Sequence, residues 1–159
     1  MLILYTTLFS YIFSLLCNPM DHIYKNLYLG NYEGAENENL LKMYDIHTVI
    51  NCAAELQYNY KDLISYELNL YDMPEERIIS TFESAYKFVK KHLNNNIFVH
   101  CYMGISRSSS FVIFYIMKEE KWDYETCYNY VKKRRSCIEP NYGFEKQLKD
   151  YYYKYIKDK

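Results

Sequence analysis

Apolar residues from Asp21 onward follow two spacings in turn, one typical of strands and one typical of helices. Short runs that are β-branched, or that alternate with polar residues, indicate strands. Such runs are IYKNLYLG (23–30), IHTVINC (46–52), LISYELNL (63–70) and NIFVH (96–100). We therefore predict a strand at each of these places, the first of them ending at Gly30.

Helical spacing links the apolar residues between and after these strands. One set runs from Ile78 to Leu93, and SFVIFYIMK (110–118) is apolar on all sides, which suits a helix buried within the domain. Shorter sets lie at Leu40, Leu41 and Tyr44, at Cys127, Tyr128 and Val131, and from Phe144 to Tyr155, with Asn141 as the expected N-cap. Strands that alternate with helices predict an α/β domain whose largely parallel sheet is flanked by helices on both faces.

Length, charge and cysteine usage narrow the classes of function. A chain of 159 residues is long enough for one domain with its own core. The net charge of −1 provides no broad positive field, so we predict no nucleic-acid partner. The five cysteines and four histidines are dispersed, without the paired spacing of a zinc site or of a small disulfide framework. We predict a reduced, cytoplasmic protein with no metal and no cofactor.

The N-terminus differs in character from the rest of the chain. Residues 1–17 carry no charged side chain, and Asn18-Pro19 ends this segment. The segment is short for a membrane span of about 20 residues, and it lacks the basic start and cleavage site of a secretory signal. Three interpretations stay open: a membrane anchor, residues outside the native start, or a buried element. We assign 1–19 to this segment and 20–159 to the domain, which faces the cytosol if the segment is an anchor.

The candidate chemistry lies in IFVHCYMGISRSSS (97–110), where a predicted strand runs into the buried helix. The N–H groups of a tight loop at a helix N-terminus converge, with the helix dipole, on one phosphate-sized anion. Arg107 adds a planar fork for two oxygens. Cys101, at the floor of this loop, is expected to be a thiolate nucleophile. The predicted phosphate-binding residues are Tyr102, Met103, Gly104, Ile105, Ser106 and Arg107.

A purely structural interpretation fits this stretch less well. A single cysteine at a strand end is usually a small buried apolar residue, and a single arginine at a helix N-terminus opposes the dipole. The combination of Cys101, Gly104 and Arg107 between a strand and a helix is far more specific than a single cysteine or a single arginine. The stretch also lacks the Gly-Lys-Ser/Thr ending of a nucleotide-binding P-loop.

The motif HCYMGISRS (100–108) resembles the signature of the cysteine-dependent protein phosphatases, in particular the dual-specificity branch. The resemblance covers nearly all of residues 21–157, with NLYLGNYEGA (26–35), IHTVINCAAE (46–55) and RRSCIEPNYGFEKQL (134–148) as further matches. It implies a central mixed sheet flanked by helices, no metal, and a phosphoprotein substrate. The implied reaction is the hydrolysis of phosphotyrosine and phosphoserine/threonine esters.

An acid is also needed to protonate the departing oxygen, and its candidates lie in NLYDMPEERIISTF (69–82). The chemistry alone leaves Asp72, Glu75 and Glu76 open, since an aspartate in a loop is ordinarily a solvated turn former. The family's acid is an aspartate ahead of the helix that precedes the signature strand, and Asp72 resembles it in position. The resemblance therefore implies Asp72 as the general acid.

Other residues receive supporting roles or stay ambiguous. We expect Ser108 to donate a hydrogen bond to the sulfur, and His100 to order the loop backbone rather than to transfer protons. The resemblance places Arg135 for a second phosphate, although a solvated helix face explains the basic run KKRR (132–135) equally well. Cys52 is more readily a buried core thiol than a partner for oxidised Cys101. The alternative to an active phosphatase is a catalytically weak module of the same fold that binds phosphoproteins.

Overall fold

The computed structural model describes residues 17–158. Strands and helices follow one another in the order β1 (Met20–Tyr24), β2 (Leu27–Gly30), α1 (Tyr32–Glu36), α2 (Glu38–Met43), β3 (Ile46–Ala53), β4 (Ile64–Leu70), α3 (Ile79–Lys91), β5 (Asn96–His100), α4 (Arg107–Glu120), α5 (Tyr124–Lys132) and α6 (Tyr142–Tyr155). Each predicted helix, and each predicted strand after residue 45, is found in its expected segment, with boundaries that differ by a few residues.

The strands form one sheet in the order β1-β2-β5-β3-β4. Only the β1–β2 pair is antiparallel, and the other three pairs are parallel. The expected central, mixed and largely parallel sheet is thereby confirmed. The prediction of a single strand over residues 23–30 was wrong, because the chain reverses at Lys25-Asn26 and Lys25 adopts a φ of 48°. Apolar residues on both sides of this turn made the two short strands resemble one.

Helix α4 is the centre of the larger core. Its side chains are buried from Arg107 to Met117, which explains why this helix is apolar on every side. Helices α3, α5 and α6 pack around it, and it covers one face of the sheet. The opposite face is covered by a smaller cluster in which Leu41 of α2 and Ala35 of α1 pack with Val49 and Phe98 of the sheet. Helices therefore flank both faces, as the alternating pattern predicts.

The topology also determines where a ligand can bind. Strands β3 and β5 are parallel neighbours in which Asn51 pairs with His100 near their carboxyl ends. The chain leaves β5 at His100 and enters α4 at Arg107, so the intervening loop lies at the carboxyl edge of the sheet and at a helix N-terminus. In open α/β sheets this edge is where ligands collect.

The residues just ahead of β1 pack on the domain. The Asn31 N–H donates to the Pro19 carbonyl at 3.1 Å, and a disulfide joins Cys17 to Cys137, whose Cα atoms are 6.1 Å apart. This disulfide corrects the expectation of dispersed free thiols, since a pairing across 120 residues is visible only after folding. Residues 1–16 lie outside the described part of the chain, so the three interpretations of this segment stay predictions. Within residues 17–158, no helix has the length and apolar character to cross a membrane.

Candidate active site

Cys101 lies directly after β5 and is 2 % exposed. Two donors point at its sulfur: the Gly104 N–H at 3.2 Å and the Ser108 hydroxyl at 3.1 Å. In both hydrogen bonds the sulfur is the acceptor. The sequence placed Cys101 at the floor of a loop and Ser108 within reach of the sulfur, and the structure brings the two together in that arrangement.

The loop formed by residues 102–106, which we call the phosphate loop, has its carbonyl groups directed outward. The Tyr102 carbonyl accepts the Tyr32 N–H at 3.0 Å, and the Ile105 carbonyl accepts the Glu139 N–H at 2.9 Å. Between them, the Met103 and Gly104 carbonyls accept from the Arg135 guanidinium at 3.3 Å and 2.9 Å. In a trans peptide the C=O and the following N–H point in opposite directions. The N–H groups of residues 103–106 therefore face the inside of the loop. A nest of N–H donors of this kind suits an anion of phosphate size.

Gly104 is required by the shape of this loop. Its φ is +69°, a conformation that side chains disfavour, and a Cβ at this position would lie 2.4 Å from the Gly30 carbonyl oxygen. The loop can approach the Gly30 carbonyl this closely only because Gly104 carries no side chain. The loop therefore packs against the end of β2 as well as leading into α4.

Arg107, the first residue of α4, is buried and held by a carboxylate that the sequence analysis did not identify. Its two terminal nitrogens each lie 2.6 Å from an oxygen of Glu55, and one of them also donates to the Leu70 carbonyl at 3.1 Å. The hydrogen bond from Arg107 lowers the pKa of Glu55. Among residues 17–158 the Nε of Arg107 has no partner, although it is buried. A ligand oxygen beside Arg107 would satisfy this N–H.

Asp72 lies between β4 and α3, in the segment 71–78 that we call the acid loop. Its Oδ1 accepts from the Ser106 hydroxyl at 2.7 Å and from the Asn141 side-chain amide at 2.8 Å. The structure thus attaches Asp72 to the phosphate loop, where an acid for the departing oxygen is needed. Glu76 instead accepts the Tyr71 N–H at 3.4 Å within the acid loop itself, and Glu75 is exposed.

His100 is fully buried at the end of β5. Burial lowers the pKa of His100 to about 4, so the imidazole is neutral at neutral pH. Burial also raises the pKa of Tyr60, whose hydroxyl is hydrogen-bonded to Nε2 of His100 at 3.1 Å. A neutral imidazole held by a tyrosine is unsuited to donating a proton near pH 7. The expected role of His100 in ordering the loop backbone stays a prediction.

Arg135 follows α5, and its burial corrects both interpretations of this residue, whereas Lys133 and Arg134 of the same run are exposed. Arg135 is 2 % exposed, so it does not belong to a solvated helix face. Besides the two loop carbonyls, it donates to the Asn18 carbonyl at 2.7 Å and to the Asp21 carboxylate at 2.6 Å. These protein acceptors occupy the guanidinium that a second phosphate would need. Arg135 instead joins the phosphate loop to the start of β1.

Cys52 is buried near the end of β3 as a free thiol, and burial raises its pKa well above the ordinary value. This environment matches the buried core thiol that the sequence favoured. A redox partnership between Cys52 and Cys101 stays a prediction.

Comparisons with known proteins agree on one family. The profile of the family described as "Dual specificity phosphatase, catalytic domain" matches residues 27–154. A probable rhodanese domain-containing dual specificity protein phosphatase of Dictyostelium discoideum is 41 % identical over 136 residues, which cover 84 % of this chain and 29 % of the relative. The human protein phosphatase Slingshot homolog 1 is 38 % identical over 132 residues, which cover 81 % of this chain and 13 % of the relative.

Solved structures give the same result. The human tyrosine phosphatase-like serine/threonine/tyrosine-interacting protein superimposes with a TM-score of 0.77 at 34 % identity, covering 83 % of this chain and 94 % of that one. DUSP15 superimposes with a TM-score of 0.83 at 28 % identity, covering 87 % and 90 % of the two chains. The resemblance read from the signature motif is confirmed. The chain spans less than a third of the length of the two curated relatives named above.

Proposed function

The chain belongs to the dual-specificity protein phosphatases, and on that premise we propose that it hydrolyses phosphotyrosine and phosphoserine/threonine esters of proteins through a cysteinyl-phosphate. The observation that carries the proposal is the Cys101 sulfur, which accepts two hydrogen bonds inside a loop of inward N–H groups. A module that only binds phosphoproteins has no need of a nucleophile in this position, so the alternative of a binding module is not favoured.

In the first step, the Cys101 thiolate attacks phosphorus and the bond between phosphorus and the side-chain oxygen of the substrate breaks. Asp72 gives its proton to that departing oxygen, which leaves as the hydroxyl of the dephosphorylated protein. The inward N–H groups of the phosphate loop and the Arg107 guanidinium stabilise the charge on the three equatorial oxygens.

In the second step, water attacks the phosphorus of the cysteinyl-phosphate. Asp72, now a carboxylate, takes the proton of the water, and the phosphorus–sulfur bond breaks to release inorganic phosphate. The sulfur leaves as a thiolate, and the Ser108 hydroxyl donates to it. This proton transfer returns Cys101 and Asp72 to the protonation states with which the cycle began.

The test is hydrolysis of 4-nitrophenyl phosphate by the full chain and by Cys101→Ser. We expect Cys101→Ser to abolish turnover, while Cys127→Ser, a buried free cysteine of α5, serves as the matched control and retains it. Rapid quenching followed by mass spectrometry should detect one phosphate on the wild-type enzyme and none on Cys101→Ser. Near wild-type turnover in Cys101→Ser would refute the assignment of the nucleophile.

The natural substrate is a phosphoprotein that we propose to be cytosolic and part of a signalling pathway. Support comes from the family of protein phosphatases to which the chain belongs. Relative turnover of tyrosine- and serine/threonine-phosphorylated peptides by the full chain tests the dual specificity. Activity restricted to one of the two classes would narrow the proposal to that class.

A further inference from the structure

The candidate acid is held by two donors that come from different parts of the chain. Asp72 Oδ1 accepts from the Ser106 hydroxyl at 2.7 Å and from the Asn141 amide nitrogen at 2.8 Å. The backbone N–H of Asn141 in turn donates to the Ser106 oxygen at 3.0 Å. Each member of this triangle therefore touches the other two. It connects the acid loop, the phosphate loop and the start of α6.

The side chain of Asn141 is fixed at both ends of its amide. It is the N-cap of α6, where its Oδ1 accepts the Phe144 N–H at 3.0 Å. The amide oxygen is thus occupied by the helix, and the amide nitrogen is the end that faces Asp72. Only one orientation of the amide satisfies both partners. The helix cap consequently aims an N–H group at the carboxylate.

Two donors on one carboxylate oxygen determine which oxygen can carry a proton. A proton on Oδ1 of Asp72 would face the Asn141 N–H, which cannot accept it. Oδ2 carries neither of these hydrogen bonds. When Asp72 is protonated, the proton is therefore on Oδ2, while Oδ1 keeps both hydrogen-bond donors.

We propose that Asn141 and Ser106 are positioning residues that hold Asp72 over the phosphate loop, so that Oδ2 is the atom that gives the proton to the leaving oxygen and takes it from water. This inference rests on the proposed function, in which Asp72 is the general acid. Oδ2–H supplies the proton of the first step, and the proton of the attacking water restores it in the second. Asn141 and Ser106 stay hydrogen-bonded to Oδ1 through both steps.

The test separates positioning of the acid from capping of the helix. Asn141→Ser keeps a side chain that caps helices about as well as asparagine, but serine is too short to reach Asp72 while it caps. Asn37→Ser is the matched control, because Asn37 caps α2 in the same way, accepting the Leu40 N–H at 3.0 Å. Thermal melts of the full-length variants should show the same small change for both.

Two substrates then report on proton donation. Phenyl phosphate needs its departing oxygen protonated, whereas 4-nitrophenyl phosphate leaves readily as an anion. We expect Asn141→Ser to lower kcat for phenyl phosphate by roughly 10- to 100-fold, the scale of a misplacement of about 1 Å. The loss with 4-nitrophenyl phosphate should be several times smaller, and Asn37→Ser should lose nothing with either substrate. Ser106→Ala removes the other donor to Asp72 and should show the same dependence on the leaving group.

The reference variant is Asp72→Asn, which distinguishes failure of the inference from failure of the proposed function. If Asp72→Asn shows a loss that depends on the leaving group while Asn141→Ser and Ser106→Ala lose equally on both substrates, the positioning role is overturned and the acid stands. If Asp72→Asn itself shows no such dependence, the assignment of the acid fails and the inference fails with it.

Discussion

Replacing Arg135 by methionine tests how strongly the phosphate loop depends on a buried cation. The Arg135 side chain is 1 % exposed and its partner Asp21 is 14 % exposed, so methionine would leave a largely buried carboxylate without a counter-ion. Removal of one partner of a buried ion pair costs about 3–5 kcal/mol. Domains of this size are stable by about 5–15 kcal/mol. We therefore expect Arg135→Met to lose a large fraction of the total stability.

The loss can be measured by urea unfolding and by thermal melting of the full chain. At about 2–4 °C per kcal/mol for a chain of this length, the melting temperature should fall by roughly 6–20 °C. Arg134→Met is the matched control, because Arg134 is exposed and its guanidinium lies 3.6 Å from the centre of the Tyr130 ring. An exposed cation–π contact of this kind is worth about 0.5–1 kcal/mol, so the control should lose no more than that.

A double variant identifies the source of the loss. Asp21→Asn in the Arg135→Met background removes the uncompensated charge, and we expect it to restore about 0.5–3 kcal/mol, the range of coupling energies between contacting residues. Unfolding of Arg135→Met within about 1 kcal/mol of wild type would refute this account of the ion pair. A normal stability combined with a raised KM only for doubly phosphorylated peptides would instead restore the second-phosphate interpretation.

Three further predictions concern other parts of the molecule. Glu55→Gln should lower kcat/KM for 4-nitrophenyl phosphate by about 10-fold or more, because the Arg107 side chain would be less firmly positioned. The exposed Glu75→Gln should change kcat/KM little, and equal values in the two variants would exclude a role for Glu55. Burial lowers the pKa of His100 to about 4, whereas its pKa in the unfolded chain is about 6.5. Between these two pH values the unfolded state therefore binds more protons than the folded state. The unfolding free energy should therefore fall by about 2 kcal/mol from pH 6.5 to pH 5; His100→Gln should remove this slope and the exposed His47→Gln should keep it. Removal of residues 1–16 should leave the melting temperature and turnover unchanged, and an unfolded truncated protein would contradict this prediction. Sedimentation of the full chain with membranes would favour the interpretation of this segment as an anchor.

Much of the fold followed from local patterns in the sequence. The β-branched run 46–52 and the apolar helix at 110–118 each carry a spacing that specifies strand or helix without reference to distant residues. The same holds for the phosphate loop, since Cys101, Gly104 and Arg107 lie within seven consecutive residues. Their placement between a strand and a helix was enough to predict an anion site with a nucleophile.

The contacts that hold this site in place could not be predicted in the same way, because their partners are far apart in the chain. Glu55 and Arg107 are separated by 52 residues, Asp72 and Asn141 by 69, and Asp21 and Arg135 by 114. In the sequence Arg135 belongs to a basic run and Asn141 to a helix cap, and each description is local. Whether a guanidinium is solvated or buried against carbonyls depends on which segments pack over it, and that packing is decided by the closure of the whole sheet. The sequence by itself determined the chemistry of the loop, and only the tertiary structure decided which residues brace the loop, hold the arginine and aim the acid.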